Sequence, residues 1–110
     1  MTDAPIGHVQ CNKVEAAFEL LSRKWSGLIV RALLDGERHF CELERALPAL
    51  SGRVLSVRMK ELEDASIVER LVTAGPPVRV SYRLTEKGQS LRPVMDSIAQ
   101  WAYSWDQNPG

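Results

Sequence analysis

The sequence predicts a mainly α-helical domain carrying one small β-hairpin. Three observations lead there. Apolar residues recur at helical spacing along most of the chain, whereas Ile67 to Leu84 is rich in Val, Thr and Tyr, and Gly75-Pro76-Pro77 divides that stretch in two. A chain of 110 residues is expected to form one domain, 1–110, with a real core. It is also small enough for a second chain to cover an exposed face.

Composition narrows the function classes. Apolar residues make up 45% and charged residues 25%, as in ordinary globular proteins, and the formal net charge is zero. A zero sum argues weakly against nucleic acid, but the local distribution of charge outweighs it. No apolar stretch is long enough to cross a bilayer, and "MTDAPIGHVQ" has no basic segment leading into an apolar one. The expected location is the cytoplasm, with no membrane partner. Cys11 and Cys41 lack Cys-x-x-Cys spacing and have only His8 and His39 as helpers, so no metal and no cofactor are expected, and both thiols should stay reduced.

The elements follow in order. Residues 1–11 read as an N-terminal arm, and 12–35 as two helices. Asn12 is the expected N-cap of the first, with Val14, Ala17, Phe18 and Leu21 on one face. The second, "KWSGLIVRALLDG", is expected to bury Trp25, Leu28, Ile29, Ala32 and Leu33 and to stop at Gly36. Residues 39–65 read as two short helices joined by a turn. Phe40, Leu43 and Leu47 line the first, and Pro48 ends it. Ser51 caps the second, and Leu55, Met59 and Leu62 form its buried stripe. That is the outline of a helix-turn-helix.

Wheel geometry sharpens the reading. With Leu55, Met59 and Leu62 inward, Arg53, Val57 and Lys60 point outward, with Ser56 and Arg58 on the flanks. No acid occurs between Ser51 and Lys60, whereas Glu61, Glu63 and Asp64 come at the far end. A helix that enters a major groove N-terminus first needs this polarity.

Residues 67–84 read as a hairpin with its prolines in the loop. Val78, Val80, Tyr82 and Leu84 alternate with Arg79, Ser81 and Arg83, and the first strand carries Arg70. An arginine-edged hairpin after a recognition helix is a wing, able to reach the sugar-phosphate backbone or a narrow minor groove. The fold class is therefore a winged helix-turn-helix.

Residues 85–105 read as one long C-terminal helix, capped by Thr85 and kinked at Pro93. Leu91, Val94, Met95, Ile98, Trp101, Ala102 and Trp105 make a wide apolar stripe. With Val14 and Phe18 of the first helix, it is the expected interface of a homodimer. A two-fold protein in turn fits a near-palindromic site on double-stranded DNA.

The pieces together resemble a known family. Cys11, "KWSGLIVRALLDG", "HFCEL", "LSGRVLSVRMKELEDASIVER", "PPVRVSYRLTEKGQSL" and Trp101 are similar to the HxlR-type winged-helix transcriptional regulators, and more distantly to MarR regulators. The resemblance implies a dimeric DNA-binding regulator, and adds Arg38 and His39 to the candidate phosphate contacts. It further implies that some members use the N-terminal cysteine, here Cys11, to sense an oxidant or small electrophile. This chain has His39 where arginine is frequent in the family, and Ala65-Ser66 where glycine is common. Cys41 is no family hallmark and reads as a small apolar filler.

Two other classes compete. A winged helix can bind protein instead of DNA, and salt dependence separates the two. A thiol enzyme is the weakest reading, because no His, Asp or Asn is set beside either cysteine and no phosphate-cradling loop occurs.

Overall fold

The computed structural model describes residues 4–106, with side chains for 12–105. The order is α1 (Ala4–Ser22), α2 (Ser26–Leu33), β1 (Arg38–His39), α3 (Phe40–Ala46), α4 (Gly52–Asp64), β2 (Val68–Thr73), β3 (Arg79–Leu84), α5 (Glu86–Gln89) and α6 (Arg92–Asp106). No helix among the described residues is long and apolar enough to cross a membrane.

Helix α1 starts earlier than expected. The stretch read as an arm is helical from Ala4, so Asn12 lies within α1 and is no N-cap, and Cys11 is a helical residue. Pro5 permits this, because a proline in the first turn gives up an N–H that would have no partner anyway. The side chain of Cys11 lies outside the described residues.

Helix α2 begins at Ser26, after Trp25 turns the chain at φ 81. It buries Ser26, Ile29, Val30 and Leu33, and Leu28 is exposed, against expectation. Leu28, Ile29 and Val30 are consecutive, so apolarity alone leaves the phase of the buried stripe open by one residue.

Helix α4 matches its expected form. The Ser51 hydroxyl accepts the Val54 N–H at 3.1 Å, and Leu55, Met59 and Leu62 are fully buried. It ends with Ser66 at φ 63, where Ser66 N donates to Glu63 O and Ile67 N to Leu62 O, both at 2.9 Å. This is a two-bond helix stop that usually employs glycine; here serine adopts the left-handed turn.

The hairpin proves to be part of a three-stranded antiparallel sheet, ordered β1-β3-β2. Strand β1 was not anticipated, since two residues are too few to show a period. With β3 central, Ser81 is buried instead of facing solvent, and its hydroxyl donates to the Glu37 carboxylate. Val78 precedes β3 and is exposed, not core-facing.

The single kinked C-terminal helix is in fact two. Thr85 caps α5 by accepting the Gly88 N–H at 3.1 Å, and a turn at Ser90-Leu91 separates it from α6. Pro93 kinks nothing, because it is the second residue of α6, in the turn where proline is tolerated.

The core joins Ile29, Leu33, Leu43, Leu55, Met59 and Leu62 to Val68, Tyr82 and Leu84 of the sheet and Met95 of α6. Met95, expected at an interface, is 5% exposed and belongs to the chain's own core, and Leu91 packs half-buried beside it.

Candidate nucleic-acid interface

The side of α4 opposite its buried stripe carries Arg53, Ser56, Val57 and Lys60, all exposed. The first turn itself holds no acid, although the Glu44 carboxylate of α3 lies close to Gly52 at its start. Lys60 Nζ lies 3.2 Å from Asp64 Oδ1, but both side chains are mostly exposed, a loose pairing that leaves the ammonium free to turn outward.

Arg58 does not join this row. Its side chain is only 21% exposed, and its Nε donates to the backbone carbonyl of Lys24 at 2.9 Å. A wheel places a residue on a flank, but it cannot show that a backbone acceptor waits there.

A second set converges where α3 meets the sheet. His39, Arg45 and Arg79, with Cys41, Glu42, Val78 and Val80, line a shallow cleft of about 500 Å³. The His39 N–H donates to Glu42 Oε1 at 2.7 Å. That hydrogen bond, chiefly, holds the Glu42 carboxyl below its usual value of 4.5, and the charges of His39, Arg38 and Arg45 act in the same direction. Arg45 was missed by the sequence reading. Its position on the face of α3 opposite Leu43 was the available signal. Cys41 shares that face, so it is a free, exposed thiol and not a core filler, with Arg45 Nη2 at 3.7 Å from its sulfur.

Register divides the wing arginines between two faces. Arg38 and Arg70 both pair with Tyr82, so the three stand in one row across the sheet. Arg79 and Arg83 project from the opposite face, because side chains alternate along a strand. Arg83 Nε donates to Glu69 Oε1, its cross-strand partner, at 3.0 Å. Arg79 stands nearest the tip, opposite Thr73.

A third surface is apolar. Val14 and Phe18 project from α1, and Val94, Ile98, Trp101, Tyr103 and Trp105 from α6, all substantially exposed. Among the described residues, no group of His, Cys, Asp or Glu side chains gathers in a way that could hold a metal ion.

A helix-turn-helix followed by a stranded wing, with a polar and basic outer row on its second helix, defines a winged-helix transcriptional regulator. Residues 20–109 match the model of the HxlR-like helix-turn-helix family, and the chain belongs to that family. It is 50% identical to the HTH-type transcriptional regulator YvaP of Bacillus subtilis over 95 residues, 86% of this chain and 88% of that one. It is 44% identical over 97 residues to the regulator YodB of the same organism, covering 88% of this chain and 87% of YodB. The solved structure of reduced YodB superposes with a TM-score of 0.76 at 46% identity, over 82% of this chain and 88% of that one. YodB has also been solved bound to a quinone and after diamide treatment. The redox regulator HypR in its reduced form gives a TM-score of 0.80 at 34% identity, over 84% of this chain and 91% of that one.

Proposed function

We propose that this transcriptional regulator acts as a homodimer on a near-palindromic site in double-stranded DNA. The observation that carries the reading is the outer row of α4. Arg53, Ser56, Val57 and Lys60 are exposed behind a Ser51-capped first turn that carries no acid of its own, and among the described residues they take no part in the core. Arg53 is the base-reading candidate, and Val57 suits a thymine methyl group. Ser51 and Ser56 suit phosphate or base edges. His39, Arg45 and Arg79 form a backbone contact beside it, with Arg83 nearer the base of the wing on the same face and Arg38 and Arg70 on the other face as further phosphate candidates.

Dimerisation supplies the two-fold symmetry. Val14 and Phe18 of α1 and Ile98, Trp101 and Trp105 of α6 are large apolar side chains left at least half exposed, the kind of surface that a second chain covers. Joined to a second copy, they set two α4 helices against half-sites about one helical turn apart.

Cys11 is the proposed sensing thiol. It lies on α1, the helix that takes part in the pairing, and its relatives include YodB, solved with a quinone, and the redox regulator HypR. A thiolate adds to quinones and is oxidised by peroxides. An adduct there shifts α1 against its partner and so the separation of the recognition helices.

The test is to recover genomic fragments that the protein retains and to measure gel retardation with them in low salt. Retardation that weakens steeply with added salt is the expected result. No retardation overturns the proposal.

A further inference from the structure

The side chain of Arg58 leaves the recognition helix and ends on another element. Its Nε donates to the carbonyl oxygen of Lys24 at 2.9 Å, while its Nη1 lies 3.3 Å from Glu61 Oε1, three residues further along α4. Glu61 Oε2 faces Arg23 Nη1 at 3.8 Å. Arg58 and Glu61 are 21% and 31% exposed, so water screens the cluster only in part. Four groups thus meet at one point: a guanidinium and a carboxylate from α4, and a carbonyl and a guanidinium from the segment after α1.

That segment is a joint. Between Ser22 and Ser26 the chain changes direction, and Trp25 takes φ 81 without glycine's freedom. A residue with a β-carbon stays in that region only where its surroundings hold it. The Lys24 carbonyl precedes this turn, and Arg58 grips it.

Much of the space beside this cluster is open. A groove of about 880 Å³ separates α1 from the end of α4, walled by Ala17, Leu20 and Leu21 on one side and by Glu61, Asp64 and Ala65 on the other. Apolar packing between the two helices is thereby thinned to the partly buried Leu20, Leu21 and Ala65, and the polar cluster adds the directional contact between them.

We infer that Arg58 is the positioning residue that sets recognition helix α4 against α1, and through α1 sets the spacing of the two recognition helices in the dimer. The inference rests on the DNA-binding dimer proposed above. Arginine suits the task, because its planar fork donates to a carbonyl and a carboxylate together, whereas lysine offers one compact ammonium. Arg58 touches no DNA in this role; its charge is engaged by Glu61.

Two measurements test it. The first needs no DNA. Spin labels are placed at Glu15 and Ser56 in protein whose Cys11 and Cys41 are serine, diluted with unlabelled protein. The distance distribution is compared with that of Arg58→Gln and Arg58→Lys, at a temperature where melting curves show all three folded. A narrow distribution that broadens in both variants is expected. The second uses the recovered operator with its natural half-site spacing and with one base pair inserted. Arg58→Gln should bind the natural site about tenfold more weakly, within the usual range of coupling through one network. Its salt slope should be unchanged, and the insertion should cost it less than it costs the unaltered protein. A salt slope reduced by about 1 would mark a phosphate contact instead and overturn the inference. So would label distances that stay narrow, or affinities for both spacings that fall by the same factor. If the unaltered protein retains no fragment, the DNA-binding reading fails by itself, and the label distances still decide whether Arg58 fixes the helix angle.

Discussion

Gly88 stands directly against the carbonyl oxygen of Ile67. A β-carbon at residue 88 would overlap that oxygen and come within 3.0 Å of Leu84 Cδ2. The same carbonyl accepts the Thr85 N–H at 2.9 Å, so α5 is fastened to the base of the wing at this point. A backbone oxygen held by a hydrogen bond cannot swing aside as a side chain can. Gly88→Ala is expected to destabilise the fold by about 1–3 kcal/mol, the usual range for overpacking. Alanine's better helix propensity offsets up to about 1 kcal/mol of that. The urea midpoint reads the difference, and an unshifted midpoint contradicts the close approach.

The Glu42–His39 hydrogen bond makes a pH prediction. The folded carboxyl is held below its ordinary value of 4.5, chiefly by the His39 N–H. A depressed folded value means the carboxylate stabilises the fold above about 4.5, and the contribution disappears as pH falls through the folded value. The stability difference between the unaltered protein and Glu42→Gln should therefore be constant near neutrality and shrink on acidification below 4.5. Urea unfolding at a series of pH values measures it. A difference that grows toward acid contradicts the assignment.

The DNA reading separates three arginines. Arg53→Ala is expected to cost about 1–3 kcal/mol of operator affinity and to relax preference at one base position. Arg79→Ala should weaken binding to every sequence alike and lower the salt slope by about 1. Arg83→Ala should do less than Arg79→Ala, because Arg83 is already engaged by Glu69 at 3.0 Å. Fluorescence anisotropy across a salt series, on the operator and on single-base variants of it, distinguishes the three. Equal effects of Arg53→Ala on all sequences would remove it from base reading.

The regions that were legible from sequence share a property. In α4 Leu55, Met59 and Leu62 recur at i, i+4 and i+7, and despite Val54 and Val57 no other phase gathers as many large apolar residues, so the outward row follows from it. In α2 three adjacent apolar residues leave the phase undecided, and Leu28 was misplaced. Strand β1 is too short for a period, so the central position of β3 and the burial of Ser81 were hidden. Pro93 is compatible with a kink or with a helix start, and only the turn before it decides. The inward path of Arg58 depends on the Lys24 carbonyl, a partner far off in sequence that no local pattern reveals. Arg45 and Cys41 required only a wheel of α3, and there the signal was available.

Cys11 and Cys41 make different predictions under oxidation. Cys41 is exposed at the proposed backbone contact, so a reagent reaches it and it must be controlled for. If Cys11 is the sensor, treatment with a quinone or peroxide lowers operator affinity in the unaltered protein and in Cys41→Ser, and leaves Cys11→Ser unchanged. Mass spectrometry of the treated chains reports which thiol was modified. Equal affinity before and after treatment removes the sensing role and leaves DNA binding untouched.

Pairing through α1 and α6 is tested by one buried charge. Ile98 and Trp101 are 54% and 68% exposed, and Phe18 is 68% exposed. Ile98, Trp101 and Trp105 follow one another at helical spacing and stay exposed, beside a Met95 that is turned into the core. In a lone chain Ile98→Asp puts a carboxylate in water at little cost. In a dimer joined there it buries an unpaired charge, which is expensive. The variant should keep the melting behaviour of a folded chain yet scatter light as a monomer at micromolar concentration, where the unaltered protein scatters as a dimer. Each monomer would retain its half-site contacts but lose the gain from binding two linked half-sites together. Affinity for the full operator should then fall by about 100-fold or more. A monomer for the unaltered protein would refute the homodimer, and a dimer for the variant would place the two-fold contact elsewhere on the surface.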